Sequence, residues 1–135
     1  MKKSPQYLLD TNICIFLLRN KFAIDKHIEE AGIKNCFLSE ITIAELAYGA
    51  YCSSNPREKM SQLRNLLKLF NIIPIFDTIE TYANFKAELR KKGLPIDDFD
   101  LLIGAAAAAN KLILITDNIK HFERLDIKVE NWVKR

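Results

Sequence analysis

Short apolar runs of strand length alternate with stretches of helical periodicity from Tyr7 to Val129. No other feature of the chain restricts its fold as strongly. Such alternation is the pattern of βαβ units, in which parallel strands are joined by crossover helices. It predicts an α/β domain built on a parallel sheet. Strands are expected at Tyr7 to Leu9, Cys36 to Leu38, Ile72 to Phe76, Leu112 to Ile115 and near Ile127 to Val129. Pro74 would put the third of these at an edge, since proline has no N–H to give to a ladder.

The segments between carry helix start and stop signals. Asp10-Thr11-Asn12 caps a helix through about Arg19, and residues 22 to 31 read as a second helix ended by Gly32. Either Ser39 or Thr42 opens the next, which runs to about Cys52 with Ile43, Leu46, Ala47 and Ala50 on an apolar face. Asn55-Pro56 begins another, with Met60, Leu63, Leu67 and Phe70 at helical spacing, so these two helices should form a hairpin. Asp77 with Glu80 has the form of a capping box. The helix after it ends in Arg90, Lys91 and Lys92 before Gly93, cations suited to the negative end of the helix dipole. From about Phe99 to Asn110 the pattern is nearly all apolar after the first turn, which marks a buried central helix. A short helix is expected around Ile119 to Phe122.

At 135 residues, 49% hydrophobic and 27% charged, residues 1 to 135 have the composition of one globular domain. The longest apolar stretch, Leu101 to Ala109, is far short of the roughly 20 residues that span a bilayer. The basic start Met1-Lys2-Lys3 leads to Asp10 without a secretory apolar segment, so a cytoplasmic protein is expected. Cys14, Cys36 and Cys52 are an odd, widely spaced set, expected to be reduced and buried and to form neither a disulfide framework nor a zinc site. His27 and His121 stand alone, which leaves little for a histidine-rich site. The net charge of +3 permits nucleic-acid binding without requiring it. Arg57, Lys59, Arg64 and Lys68 mostly decorate the solvent face of one helix.

Oxygen ligands are what remains. Asp10, Glu45, Asp100 and Asp117 each stand where an apolar run gives way to a helix, or just inside that helix. In a parallel sheet such junctions line the carboxyl edge, where ligands bind, so acids far apart in sequence converge. Each has an ordinary reading by itself. Asp10 and Asp117 suit caps or turns, and Glu45 completes a capping box begun by Thr42. Asp97, Asp98 and Asp100 suit a helix start, where acids are favourable by about 0.3 to 1 kcal/mol each. If Ser39 is the cap, however, Glu45 lies inside the helix beside an apolar face, where an unpaired carboxylate is costly. Asp100, directly before Leu101-Leu102-Ile103, is the one of its trio expected to face inward. Taken together, the four point to a metal site: gathered like charges repel and weaken the apo fold until a divalent cation offsets them. Hard oxygen donors select Mg²⁺ or Mn²⁺ over zinc or copper.

Four segments, Leu8-Leu9-Asp10-Thr11-Asn12, Ser39 to Leu46, Asp100 to Ala105 and Ile115-Thr116-Asp117-Asn118, resemble in order and spacing the PIN-domain ribonucleases. The resemblance is strongest to the VapC toxins of bacterial toxin–antitoxin pairs, and the ending Val129-Glu130-Asn131-Trp132 looks like that family's final strand. It implies a PIN-like three-layer fold, a central, mostly parallel four- or five-stranded sheet flanked by helices. It also implies that Asp10, Glu45, Asp100 and Asp117 form an acidic quartet for Mg²⁺ or Mn²⁺, with Asp10 and Asp100 as direct ligands and Thr11, Asn12 and Thr116 as polar supports. Many relatives have asparagine in place of Asp117, Asp97 and Asp98 are additional acids, and Gly104 stands where alanine is common.

The activity implied is metal-dependent endoribonuclease cleavage leaving a 5′-phosphate and a 3′-hydroxyl. The implied partners are an RNA substrate, a cognate antitoxin lying over the groove near the helices opened by Thr42 and Asn55, and a second copy in a homodimer. Tyr48, Tyr51, Leu66 and Leu69 are candidate surface residues for these contacts. Two other classes compete. An acidic-pocket phosphotransfer domain would want paired acids after the first strand or Asp-x-Asp, and Asn12 stands in the way of the latter. A catalytically silent PIN-like binding module would not need four intact acids.

Overall fold

The computed structural model describes residues 4–135, and the basic start Met1-Lys2-Lys3 lies outside them. The strands β1 (Tyr7–Leu9), β2 (Cys36–Ser39), β3 (Asn71–Ile73), β4 (Ile113–Ile115) and β5 (Val129–Glu130) form one sheet. Its order is β3-β2-β1-β4-β5 and every pairing is parallel. The helices are α1 (Thr11–Leu18), α2 (Ile24–Ala31), α3 (Glu40–Tyr51), α4 (Pro56–Leu67), α5 (Ile79–Lys91) and α6 (Asp98–Ala109). The α/β expectation holds in its five-stranded, wholly parallel form.

Successive strand residues point to opposite faces, so a three-residue strand serves two cores at once. Leu9 and Ile115 join Ile13, Ile24, Leu46 and Leu63 on the side of α1 to α4. Their neighbours Leu8 and Leu114 join Leu89, Leu101, Ile103 and Ala106 on the side of α5 and α6. All four strand residues are fully buried. Strands covered on both faces must be apolar throughout, which is why these read as continuous runs and not as alternating ones. The result is three layers, helices on each side of the sheet.

From β1 the chain moves outward through β2 to β3, then crosses to the other side of β1 for β4 and β5. The strand order therefore reverses between β1 and β4, and at such a point a crevice opens beyond the carboxyl ends of the strands. Asp10 follows β1 and Asp117 lies two residues beyond β4.

Several local expectations are corrected. Of the two alternatives for the start of α3, it is Ser39 that opens it, its Oγ accepting from Ile41 N at 3.1 Å, so Glu45 lies inside that helix. β3 ends at Ile73 instead of continuing to Phe76, because Ile75 N donates to Glu40 Oε1 at 2.7 Å and a 3-10 turn follows over Ile75–Thr78. Asp77 lies in that turn, and α5 starts after Thr78 with no side-chain cap, so the Asp77/Glu80 capping box does not form. β5 covers Val129–Glu130, later than the expected span, while the short helix expected around Ile119 to Phe122 is present as a 3-10 helix over those residues. α2 starts at Ile24, since Phe22 and Ala23 have φ of 58° and 52°. Cys14 and Cys36 are buried as expected, whereas Cys52 is exposed. Leu66 is core, leaving Tyr48, Tyr51 and Leu69 as exposed candidates.

α6 is the most buried helix, with Leu101, Ile103, Gly104, Ala105, Ala106 and Ala107 all inside. Gly104 is where Leu125 packs closest: a Cβ built there would meet Leu125 Cδ1 at 2.5 Å. That proximity offsets the cost of about 1 kcal/mol that glycine carries in a helix interior. Among the described residues no helix is long and apolar enough to cross a membrane.

Candidate active site

Asp10 occupies the N-cap of α1, where the extended backbone after β1 turns into the helix. Its Oδ1 accepts from Thr11 N at 2.7 Å and its Oδ2 from Thr116 Oγ1 at 2.7 Å. Asp10 is only 5% exposed. Burial pushes its carboxyl up to about 6, against the lowering effect of the Thr116 and Thr11 bonds, and the charges of Asp100 and Glu45 push the same way as burial.

Glu45 reaches the same crevice from the second turn of α3. Its Oε1 accepts from Thr11 Oγ1 at 2.6 Å, and the Thr11 hydroxyl is 3.1 Å from that of Thr42. Thr42 is fully buried one helical turn before Glu45. It is a support that the sequence suggested only as a helix cap; its spacing of three from Glu45 is the signal that puts both on one face.

Asp100 comes from the first turn of α6, half-buried, with Oδ2 3.3 Å from His121 Nδ1. Burial raises its carboxyl, with His121 opposing and the charge of Asp97 adding. The other acids of that turn go elsewhere. Asp97 caps α6 by accepting from Phe99 N at 3.1 Å. Asp98 accepts from Tyr82 and Lys86 of α5. Of the three, Asp100 is the one turned inward.

Thr116 is fully buried, and its hydroxyl, donating to Asp10, also accepts from Asn118 N at 3.0 Å. Asn12 spans the two strand ends: Asp117 N donates to its Oδ1 at 3.3 Å, and its Nδ2 lies 3.5 Å from Thr116 Oγ1. Asp117 itself is paired with an arginine. Arg135 donates to both of its oxygens, Nη1 to Oδ1 at 2.9 Å and Nη2 to Oδ2 at 2.7 Å. The guanidinium holds the Asp117 carboxyl below the usual carboxylate range, helped by a bond from Asn131. Nothing in the local sequence around Asp117 announces either partner.

Glu45 and Asp100 thus come from two different helices within electrostatic reach of Asp10. Among the described residues no group of three or more histidine, cysteine, aspartate or glutamate side chains is placed to hold a metal ion. Asp10, Glu45 and Asp117 are each turned towards a hydrogen-bond donor, and Asp100 towards the His121 ring. The chemistry of the donor set still fits a hard divalent cation. It offers carboxylate and hydroxyl oxygens without thiolates, around a buried carboxyl whose ionisation is opposed by its neighbours.

A reversed strand order and acids at the carboxyl edge supported by threonine hydroxyls match a known class. The model of the PIN domain family matches residues 7–128. Over most of its length the chain is also similar to named VapC proteins. It is 33% identical to the tRNA(fMet)-specific endonuclease VapC of Salmonella typhimurium, covering 94% of this chain and 98% of that one. It is 37% identical to the ribonuclease VapC2 of Rickettsia felis, covering 95% and 98%. Among solved structures, VapBC2 from Rickettsia felis bound to a promoter DNA fragment superposes with a TM-score of 0.84 at 34% identity, covering 93% of this chain and 98% of that one. DNA-bound VapBC from Salmonella typhimurium superposes with a TM-score of 0.88 at 29% identity, covering 95% and 98%. The chain therefore belongs to the PIN domain family and, within it, to the VapC ribonucleases. PIN-domain ribonucleases are generally dependent on a divalent metal.

Proposed function

We propose that this chain, acting as a single domain over residues 1 to 135, is an endoribonuclease that hydrolyses RNA phosphodiester bonds with Mg²⁺ or Mn²⁺. In this reading it is the toxin of a toxin–antitoxin pair. The observation that carries the reading is the gathering of Glu45 and Asp100 about a buried Asp10 whose carboxyl is held well above its ordinary range.

Asp10 and Asp100 would hold the cation, which when bound supplies charge neutralisation at the scissile phosphate and a more acidic water. Thr116 and the Thr11 backbone N–H fix both oxygens of Asp10, so its direction is set before any ion arrives. Glu45 orients or deprotonates the attacking water, its own position set by the Thr11 hydroxyl, which Thr42 backs. Asp117 is the fourth acid of the set. Asn12 ties the β1 and β4 ends together and so keeps the two halves of the crevice in register.

An apolar groove runs beside Glu45 between α1, α3 and α4, lined by Ile15, Leu18, Leu46, Ala50 and Leu63. It is of the right kind for an amphipathic antitoxin segment that would also cover the acids. The similar structures are VapBC complexes, which supports such a partner. Homodimerisation through exposed Tyr48, Tyr51 or Leu69 and a cytoplasmic location belong to the same reading. Because the Salmonella typhimurium relative is named for tRNA(fMet), transfer RNA is the first substrate class to try.

The test is to incubate antitoxin-free protein with total RNA in Mg²⁺, in Mn²⁺ and in chelator, beside Asp100→Asn, and to map new 5′ ends. Discrete metal-dependent cuts lost in the variant are expected. A folded protein that cuts nothing in either metal would sink the reading in favour of a silent binding module.

A further inference from the structure

The fourth acid differs from the other three in having a cation of its own chain. Arg135 lies on Asp117 as a two-pronged fork, and Asn131 Nδ2 donates to Oδ1 at 3.1 Å, so both carboxylate oxygens are engaged with protein donors. Phe22 flanks the guanidinium as well, its ring centroid 5.3 Å from Arg135 Cζ. The ring is put there by a backbone that side chains rarely adopt, φ 58° at Phe22 and 52° at Ala23. It is braced edge-on by Phe16 at 4.8 Å. Although doubly held, the Arg135 side chain stays 61% exposed while that of Asp117 is 14% exposed. An arginine has five N–H donors, and the fork uses two of them.

This cation sits one residue from the acid cluster, since Thr116, which donates to Asp10, precedes Asp117. Two consequences follow. Protein donors take three of the about four acceptor positions of Asp117, and an ion approaching the remaining one would meet the charge of the arginine. Meanwhile an ordered, solvent-facing guanidinium at the rim of a cluster of negative charge offers a fixed contact to an RNA phosphate approaching those acids.

We propose that Arg135, seated on Asp117 and Phe22, positions the RNA phosphate backbone at the site, and that Asp117 serves as its seat and not as a metal ligand. The proposal rests on the nuclease reading above and narrows the role of its fourth acid.

The experiment uses the full chain in two binding measurements that need no cleavage: calorimetric titration with Mn²⁺, and anisotropy of a fluorescein-labelled single-stranded RNA in chelator. Arg135→Gln and Asp117→Asn should keep Mn²⁺ affinity within about threefold of wild type, whereas Asp100→Asn loses it. RNA binding should weaken about tenfold in Arg135→Gln and in Asp117→Asn, and Arg135→Lys should recover part of the loss by restoring the charge without the fork. In cleavage assays Arg135→Gln should raise KM while kcat changes little. An Asp117→Asn protein that loses Mn²⁺ along with Asp100→Asn overturns the seat. Wild-type RNA affinity in Arg135→Gln, or a fall in kcat at constant KM, overturns the positioning role. Since both binding readouts are independent of turnover, they decide the proposal even where the wild type cuts no RNA.

Discussion

Asp10 and Asp117 follow neighbouring strands, each after an apolar run, yet they carry their charge in opposite ways. Asp10 is buried, and burial, joined by the charges of Asp100 and Glu45, pushes its carboxyl up to about 6. Asp117 is gripped by Arg135 and Asn131, and its carboxyl stands below the ordinary range. One is a negative charge the fold tolerates poorly until a cation comes, and the other is already neutralised. A shared position at the sheet edge therefore does not assign a shared role; the charges brought in from distant parts of the chain do.

The sharpest way to break this comparison is cleavage itself. Asp10→Asn should lower the rate by about a hundredfold or more, because an amide cannot neutralise the cation that the charge stabilisation depends on. Asp117→Asn should lose far less at saturating RNA. Equal losses in a time course on transfer RNA would erase the distinction between the two acids.

Stability without metal comes next. Asp10→Asn should be more stable than wild type in chelator near pH 7 by about 1–2 kcal/mol, since removing the buried charge outweighs the loss of one hydrogen bond: the amide oxygen can still accept from Thr11 N, but its NH2 cannot accept from Thr116 Oγ1. Asp117→Asn should show no gain, having lost its arginine. The sign of the pH dependence follows from the raised Asp10 value. Both states are protonated below about pH 4. As pH rises, the unfolded chain ionises first while the folded chain resists until about pH 6, so apo stability attributable to Asp10 falls across that window. Asp117 runs the other way, its contribution being lost as pH falls through its depressed folded value. Urea unfolding in chelator from about pH 2 to pH 8, with the two variants alongside, separates the two trends, that of Asp10 lying between about pH 4 and pH 6 and that of Asp117 below about pH 4.

A smaller effect is expected at Thr116→Val, which removes the donor to Asp10 Oδ2. It should cost about 1–2 kcal/mol near neutral pH and weaken Mn²⁺ binding in the same protein. Loss of stability with unchanged metal affinity would separate Thr116 from the site. The smallest change serves as the control: Asn55→Ala removes the α4 cap bond to Glu58 N and should cost about 1 kcal/mol without altering the cleavage rate per folded molecule.

Much of this organisation was legible in the residues. Continuous apolar runs at Leu8-Leu9 and Leu114-Ile115 announce strands covered on both faces, and Ala105-Ala106-Ala107 announces a helix with no solvent side, because burial acts through composition. Element ends were read less well where a distant group intervenes. β3 stops early because Glu40 captures Ile75 N, a contact across 35 positions that no local pattern encodes. The start of α2 yields to Phe22, whose ring is needed against Phe16.

By itself, then, the sequence determined an α/β chain with four acids at strand–helix junctions, since hydrophobic periodicity and capping are local properties that neighbouring residues carry. Only the tertiary structure decided the strand order, and that Asp117 is matched by Arg135 while Asp10 is left within reach of the charges of Asp100 and Glu45. The physical reason is that a carboxylate's ionisation depends on desolvation and on charges within a few ångströms, and in a parallel sheet those charges arrive through crossovers from residues far away in the chain.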